Sequence, residues 1–527
     1  MKKRFSLITL TFILFCFLFT TPCIARQMNI LVYPFENTGD KEYFWISAGM
    51  TDTVIADLTH IKDISVVSNQ DRKKALDEMK FNFSGLVEAD KMMKLGRLTG
   101  ANVIFSGSYL VSGSSIRVIA RLVNTETGNV ESSTKIDGTI NGIFDLQDKV
   151  VFTLMGETGK ITSADIKPVK ITEQVKKQIE EKPRLNISAY EWYAKGSAIQ
   201  DNNPKEALIN FKKALDIDPD YTDALIRAGN TTGNIYNLFS EAFRYLEKAE
   251  RIFKDRNNTK SSGYASLMMH IGEVYMRKGE LDQALEYCIN SLSIYEKLEL
   301  QNTADYAKPI IIIGNIYQRK GQLDRALEYY LNSQSIYGRL GLQNAIVYTT
   351  PMSNIGSVYA MKGQLDRALE YYLDSQSIYD RLGLQNTESY AILKNNMGNV
   401  YQFKSQFDRS LECYLNSQSI YDRLGSQNTE SYAMLMNNIG LVSSKKGPTS
   451  RALEYYLNSQ SIYDRLGLQN GIFYSDLLYN MALLYEKQGQ RDMAGRYFRM
   501  VYDTYVKYGY SGELRDKALN NARRLRY

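Results

Sequence analysis

In the second half of the chain, apolar positions recur three and four residues apart, in stretches separated by short polar turns. Glu388–Phe403 carries Tyr390, Leu393, Met397 and Tyr401 in this way, and Phe407–Leu424 carries Leu411, Tyr414, Leu415, Ile420 and Tyr421. Such spacing predicts paired amphipathic helices. Gly-Gln-Leu-Asp turns such as Gly321–Asp324 separate the two helices of a pair, with Asp324 and Asp366 where a helix start favours an oxygen acceptor. Leu340–Asn344 ends a second helix with glycine, as a left-handed cap requires.

The pairs follow one another at a period of 42 residues, seen as Gly272, Gly314, Gly356, Gly398, Gly440 and Ala482. Tyr275, Tyr317, Tyr359, Tyr401, Ser443 and Tyr485 keep the same step, as do Ala284, Ala326, Ala368, Ser410, Ala452 and Ala494. A period of this kind predicts a stacked α-solenoid whose units bury their apolar faces against neighbours. Small residues belong where two helices cross closely: Gly314 against Ala326, with Tyr317 and Tyr329 beside them. About eight pairs are expected over 186–508, then a capping helix within 509–527.

Residues 26–160 read differently. Asn29–Phe35 and Ile64–Val67 are apolar runs typical of buried strands. Helical spacing covers Tyr43–Thr59, Gln70–Met79, Glu88–Leu98 and Phe144–Met155, and three further strands are expected at Val103–Val111, Ser115–Val123 and Asn129–Ile136, with Gly113 and Gly128 in the turns. This is the pattern of a compact α/β domain. The fold class is therefore an α-solenoid behind a small N-terminal α/β domain, joined by a charged, proline-bearing linker at 161–185 that contains one short helix.

The first 25 residues form a three-part export signal: Lys2–Arg4, the apolar Phe5–Thr20, and the small-residue site Cys23-Ile24-Ala25. Cleavage after about Ala25 is expected, an uncleaved anchor being the alternative; Pro22 argues against lipidation at Cys23. The mature chain then has no transmembrane span and is periplasmic or envelope-associated. The formal charge of +6 falls to +3 without Lys2, Lys3 and Arg4, which gives no support to nucleic-acid binding. The basic end at Arg523, Arg524 and Arg526 reads as a solvated helix terminus.

Catalytic material is scarce. His60 and His270 are the only histidines, and outside the leader only Cys288 and Cys413 remain, placed as packing thiols rather than a disulfide. Gly107–Gly113 lacks the ending of a phosphate loop and reads as a turn. Asp52, Asp57 and His60 suggest a metal cluster on paper, but solvated carboxylates and a capping histidine account for them. No enzyme activity and no cofactor are expected.

The run ILVYPFEN, then WISAGMTDTVIADL, then LGRLTGANVIFSGSYLVSGSSIRVIARLVNTETGNV resembles the TolB amino-terminal-like domains, a group related to FlgO and CsgG. That resemblance implies a non-catalytic module of a cell-envelope assembly or of a multidomain regulator. The small–large pattern of the solenoid resembles the tetratricopeptide repeat. Trp192, Gly196, Ala207, Phe211, Ala214 and Pro219 form its most typical copy. The later, longer copies look like the extended repeats of kinesin light chains and LGN-type scaffolds.

The repeat resemblance implies that first helices line the binding groove, at positions two and three before the register glycine and one, four and five after it. Those positions are Asn315, Gln318, Arg319, Asn354, Asn395, Asn396, Asn399, Gln402, Asn437, Asn438 and Asn480, with Arg277, Lys445 and Lys487. An asparagine ladder can hold the backbone of an extended peptide through donor and acceptor at once. Alternatively, the asparagine nearer the glycine only bonds the adjacent helix. The recurring Tyr295, Tyr337, Tyr379, Tyr421 and Tyr463 read as core. The function expected is an exported scaffold whose groove binds protein or peptide and whose N-terminal domain docks to an envelope component. The alternative is a sensory subunit whose α/β domain binds a small ligand and signals through the array.

Overall fold

The computed structural model describes residues 27–61, 64–68, 71–72, 75–76, 89–156, 169, 171–180, 186–200, 203–235, 238–447, 449–469, 471–507 and 513–527. The leader, most of the helix expected at Gln70–Met79, most of 161–185 and Gly512 lie outside them.

A mixed sheet contains β1 (Met28–Val32), β2 (Glu36–Asn37), β3 (Ile64–Val66), β4 (Val103–Ser112), β5 (Ser115–Asn124) and β6 (Val130–Thr139). Its order is β3-β1-β4-β5-β6, with β2 on β4. β1 runs parallel to both β3 and β4, and is buried along its whole length, as a parallel strand covered on both faces must be. β4, β5 and β6 form the expected antiparallel meander, turned at Gly113 (φ +60°) and Gly128 (φ +74°), where only a left-handed backbone closes the turn. Helices α1 (Trp45–Leu58), α2 (Ala89–Thr99) and α3 (Ile143–Gly156) accompany the sheet.

After α4 (Glu173–Glu180) come α5 (Ile187–Ile199) and α6 (Pro204–Ile217), α7 (Thr222–Asn230) and α8 (Phe239–Asp255), α9 (Ser262–Lys278) and α10 (Leu281–Lys297), and α11 (Ala304–Arg319) and α12 (Leu323–Arg339). Four more pairs follow: α13 (Thr349–Met361) and α14 (Leu365–Leu382), α15 (Glu388–Phe403) and α16 (Phe407–Leu424), α17 (Glu430–Lys446) and α18 (Thr449–Leu466), α19 (Ile472–Lys487) and α20 (Arg491–Lys507). Helix α21 (Glu513–Arg524) ends the series. The chain divides into two compact units, one ending at Tyr348 and one spanning Thr349–Tyr527.

In five of the eight pairs the register glycine faces a ring, while Gly229 of the second pair faces Leu246. A Cβ added to Gly398 would lie 2.4 Å from the Tyr414 ring, and one on Gly314 2.5 Å from Tyr330. Gly356 meets Tyr372, Gly440 meets Tyr456, and Gly196 meets Phe211 in the same way. Cys288 takes the ring's place against Gly272, and burial pushes its thiol up to about 12. The expected alanine contact is present but secondary, since the Ala452 carbonyl lies 3.2 Å from the same added atom on Gly440. Beside it Tyr317 and Tyr329 stack at 5.4 Å, with the Arg325 guanidinium 5.4 Å above the Tyr317 ring.

Between pairs, the tyrosines expected in the core are there: Tyr379, Tyr421 and Tyr463 are buried. Each meets a tyrosine of the next first helix edge to face, as in Tyr421–Tyr432 at 5.6 Å. The outer hydroxyl of that pair then finds a carboxylate, Tyr432 donating to Asp422 at 3.0 Å. Left-handed glycines close the second helices at Gly383 and Gly425, as expected. The first-turn aspartates differ from expectation. Gln322 and Gln364 hold the cap positions without a side-chain cap, and Asp324 and Asp366 lie inside the helix. There a carboxylate favours the positive helix end, and Asp366 also pairs with Lys404 of the following pair. The true side-chain caps are Thr387 and Thr429, before the first helices.

In the first unit the sheet's hydrophobic cluster runs on into the first helix pairs, through Ala189, Tyr190, Tyr193 and Phe211 to Ala228. Tyr190 is its centre, edge-on to Trp45 at 5.9 Å and to Phe144 at 5.0 Å. Gly49 admits it, because a Cβ there would sit 2.6 Å from its hydroxyl. The sheet region also reaches the connections after α10 and α12. Asn302 donates to Gln27 at 3.0 Å, and Gly100 (φ +71°) abuts Leu342 and Ala345.

Gly398→Ala tests the glycine contact. The overpacking of Tyr414 should outweigh the roughly 1 kcal/mol that alanine adds to a helix, for a net loss of about 1–2 kcal/mol in urea unfolding. A gain in stability would show that the ring can move aside.

Candidate partner-binding face

The first helices of successive pairs in the second unit approach one another directly. Asn438 on α17 donates to Asn395 at 3.0 Å and to Asn399 at 3.1 Å, both on α15. Asn480 on α19 donates to Asn437 on α17 at 3.0 Å. The asparagines nearer the glycine thus serve as stacking donors, the structural alternative weighed from sequence. The farther column, Asn395 and Asn437, spends its carbonyl oxygens as acceptors, while its amide N–H groups have no hydrogen-bond partner among the described residues.

The positions following the glycine are tied inward. Tyr414 Oη lies 2.7 Å from Asn399 Oδ1 and 3.1 Å from Gln402 Oε1, and its one proton serves either acceptor in turn. Tyr330 Oη stands in the same relation to Asn315 at 2.7 Å and Gln318 at 2.8 Å. The ring that needs the glycine therefore also orients the polar residue next to it. This link escaped the sequence reading, although a tyrosine sixteen residues after Gly314, Gly356, Gly398 and Gly440 was its signal. Asn354 and Asn396 are half-buried on α13 and α15. Arg319 donates to the Met276 carbonyl at 2.9 Å, across the C-terminal end of α9. Lys487 does the same to Ser444 at 2.6 Å.

Neighbouring pairs are also joined by a ladder of charges: Lys320 to Asp282, Lys404 to Asp366, and Lys446 to Asp408. These bonds are exposed on the carboxylate side and add little each. Asp476 on α19 is a different case, because burial raises its carboxyl to about 6.

The three residues suggested as a metal cluster are not brought together. His60 Nδ1 bonds the Ala56 carbonyl at 2.8 Å, so it caps the end of α1 as expected. Neither carboxylate is solvated as expected: Asp57 is buried, and the Asp52 side chain is only 9% exposed. The reason is that α1 packs on α5: Asp52 Oδ2 takes Ser197 Oγ at 2.6 Å and Tyr193 Oη at 3.3 Å, with an Arg227 nitrogen at 3.9 Å. Among the described residues no group of three or more His, Cys, Asp or Glu side chains is placed to hold a metal ion, and no helix is long and apolar enough to cross a membrane.

With the geometry set, comparison with known proteins gives the class. Family models of the tetratricopeptide repeat match residues 265–299, 309–381 and 476–507. The chain carries tetratricopeptide repeats. A curated relative, "Putative adenylate cyclase 3" of Rhizobium meliloti (strain 1021), is 24% identical over 203 residues, 38% of this chain. The chain spans 31% of that relative's length. Among solved structures, the apo quorum sensor NprR from B. thuringiensis is similar at 16% identity and a TM-score of 0.47, covering 69% of this chain and 96% of its own. A Rap protein complexed with Competence and Sporulation Factor is similar at 14% identity and 0.47, covering 70% and 99%.

Two outcomes follow from the buried carboxylates. Asp52→Ala removes the acceptor that Ser197 and Tyr193 share and the carboxylate facing Arg227, and should cost about 1–3 kcal/mol in urea unfolding, where an unchanged midpoint would refute the bond network. The Asp476 carboxyl is harder to ionise when folded, so it opposes folding once pH exceeds its unfolded pKa near 3.9. Asp476→Asn should accordingly raise the unfolding midpoint at pH 8, by roughly 1–2 kcal/mol, with the gain fading between about pH 6 and pH 4.

Proposed function

We propose that this chain is a non-enzymatic scaffold or adaptor that binds a protein or peptide segment along its first-helix face. The leader at 1–25 would export it to the periplasm or the envelope, where the TolB-like N-terminal region docks to an envelope component. One observation carries the binding reading. The amides of Asn395 and Asn437 stand on one face with their carbonyls already held by Asn438 and Asn480, so their N–H donors are oriented before a ligand arrives. Such pre-oriented donors suit the carbonyl groups of an extended backbone, at little ordering cost.

A second reading has support of its own. The core of the sheet region is continuous with that of the first repeats, and Asp52 joins α1 to α5 and α7. A small ligand on the α/β region would therefore act on the repeats through packed side chains. This is the regulatory subunit weighed against the scaffold.

Crosslinking the protein in its native envelope separates success from failure. Asn395→Ala with Asn437→Ala should abolish the crosslinks of the full chain while the fold survives, its unfolding midpoint moving by about 1–3 kcal/mol for the two lost inter-layer bonds. If every crosslink persists, the face is not the binding surface. A metabolite that raises the melting temperature of the full chain and protects α5–α7 from hydrogen exchange would favour the regulatory reading.

A further inference from the structure

Five residues after Gly356, Gly398, Gly440 and Ala482 stand Met361, Phe403, Lys445 and Lys487, one on each first helix of the second unit. Phe403 is 68% exposed, unusually open for so large an apolar side chain at a helix end. Lys445 and Lys487 are exposed as well. Two carboxylates paired beside them are already engaged: Asp408 holds Lys446, the residue after Lys445, and Glu486, the residue before Lys487, holds Arg524. Among the described residues, neither Lys445 nor Lys487 forms an ion pair. Lys487 is instead anchored on the Ser444 carbonyl, and Lys445 stands 6.0 Å from the Phe407 ring. Asp476, on the same helix as Lys487, lies eleven residues back, about 16 Å along the axis, and burial keeps its charge suppressed up to about pH 6.

One apolar and two unneutralised cationic positions thus lie in consecutive layers, with Phe403 and Lys445 each eight residues, about 12 Å along the axis, beyond the asparagine of the same helix. Helix layers repeat at about 10 Å and an extended chain advances about 3.3 Å per residue, so one layer corresponds to three peptide residues. We propose that the segment held on this face is an acidic extended peptide, with an apolar side chain on Phe403 and carboxylates three and six residues along, at Lys445 and Lys487. The inference rests on the reading that the first-helix face binds a peptide, and adds its chemistry and its spacing. Basic or uncharged segments leave both ammonium groups without a carboxylate. The asparagines hold the backbone whatever the sequence; the Phe403–Lys445–Lys487 column chooses it.

The test uses the full chain and fluorescein-labelled synthetic peptides in a serine–glycine background. One carries leucine with glutamate three and six residues later, a second has glutamine in place of both glutamates, and a third moves the glutamates to the next two positions. By anisotropy at low salt the first should bind about tenfold more tightly than the second, as two exposed ion pairs of roughly 0.7 kcal/mol each imply. The advantage should shrink in roughly 0.5 M salt. Lys445→Gln with Lys487→Gln should erase it and leave the melting temperature unchanged. Equal binding of the glutamate and glutamine peptides, or a preference surviving in the lysine variant, overturns the charge assignment. Equal binding of the third peptide overturns the three-residue register. Should charge prove irrelevant while Asn395→Ala with Asn437→Ala still abolishes binding, only this inference fails; if no peptide binds at all, it falls together with the reading beneath it.

Discussion

The contact on which the repeats depend is a ring laid against a bare helix backbone. Gly314, Gly356, Gly398 and Gly440 each accept a tyrosine whose nearest carbons would sit inside any Cβ placed there. Because the ring is a tyrosine, the same contact delivers a hydroxyl to the polar side chain one residue after the glycine in the fourth and sixth pairs. Packing and polar orientation are therefore one event. A close-packed interior transmits such a constraint because it has no slack to absorb it. Where the pattern lapses, at Ala482, the residue sixteen on is Phe498, which has no hydroxyl to place.

A second constraint acts on the first unit. Tyr190 lies between α1, α3 and the first repeat, and Gln147 donates to its hydroxyl at 2.8 Å in a buried setting. The α/β region is thus built into the repeats rather than hung from them. Polar groups meet across the contact: Asp52 accepts from Ser197 and Tyr193, and the Thr53 and Tyr190 hydroxyls share a bond. Removing either side would leave polar atoms buried without partners, which is why this contact is specific as well as apolar.

Much of this was legible in advance. Strand and helix limits around β1, α1, β4, β5 and α3 lie within a few residues of those read from periodicity, since alternation and 3.6-residue spacing are local properties. The left-handed glycines and the buried tyrosine stripe were legible for the same reason. The roles within the asparagine columns were not. Asn395 and Asn438 belong to the same residue type in adjacent columns, yet one accepts and the other donates, because their helices present them at different heights to the neighbouring layer. Asp324 and Asp366 stand two residues past the cap for a similar reason: a glutamine that makes no cap bond stands where the acceptor was expected. Asp52 was read as solvated because nothing in its own helix reveals that α5 covers it.

By itself, then, the sequence determined the helix pairs, their period, the register glycines and the strands of the sheet, because all of these follow from short-range spacing. Only the tertiary structure decided which asparagine faces outward, which lysines keep an unneutralised charge, and that α1 closes on α5. Those depend on side chains tens to hundreds of residues apart, such as Asp52 and Ser197, whose meeting is set by how layers stack and not by any pattern along the chain.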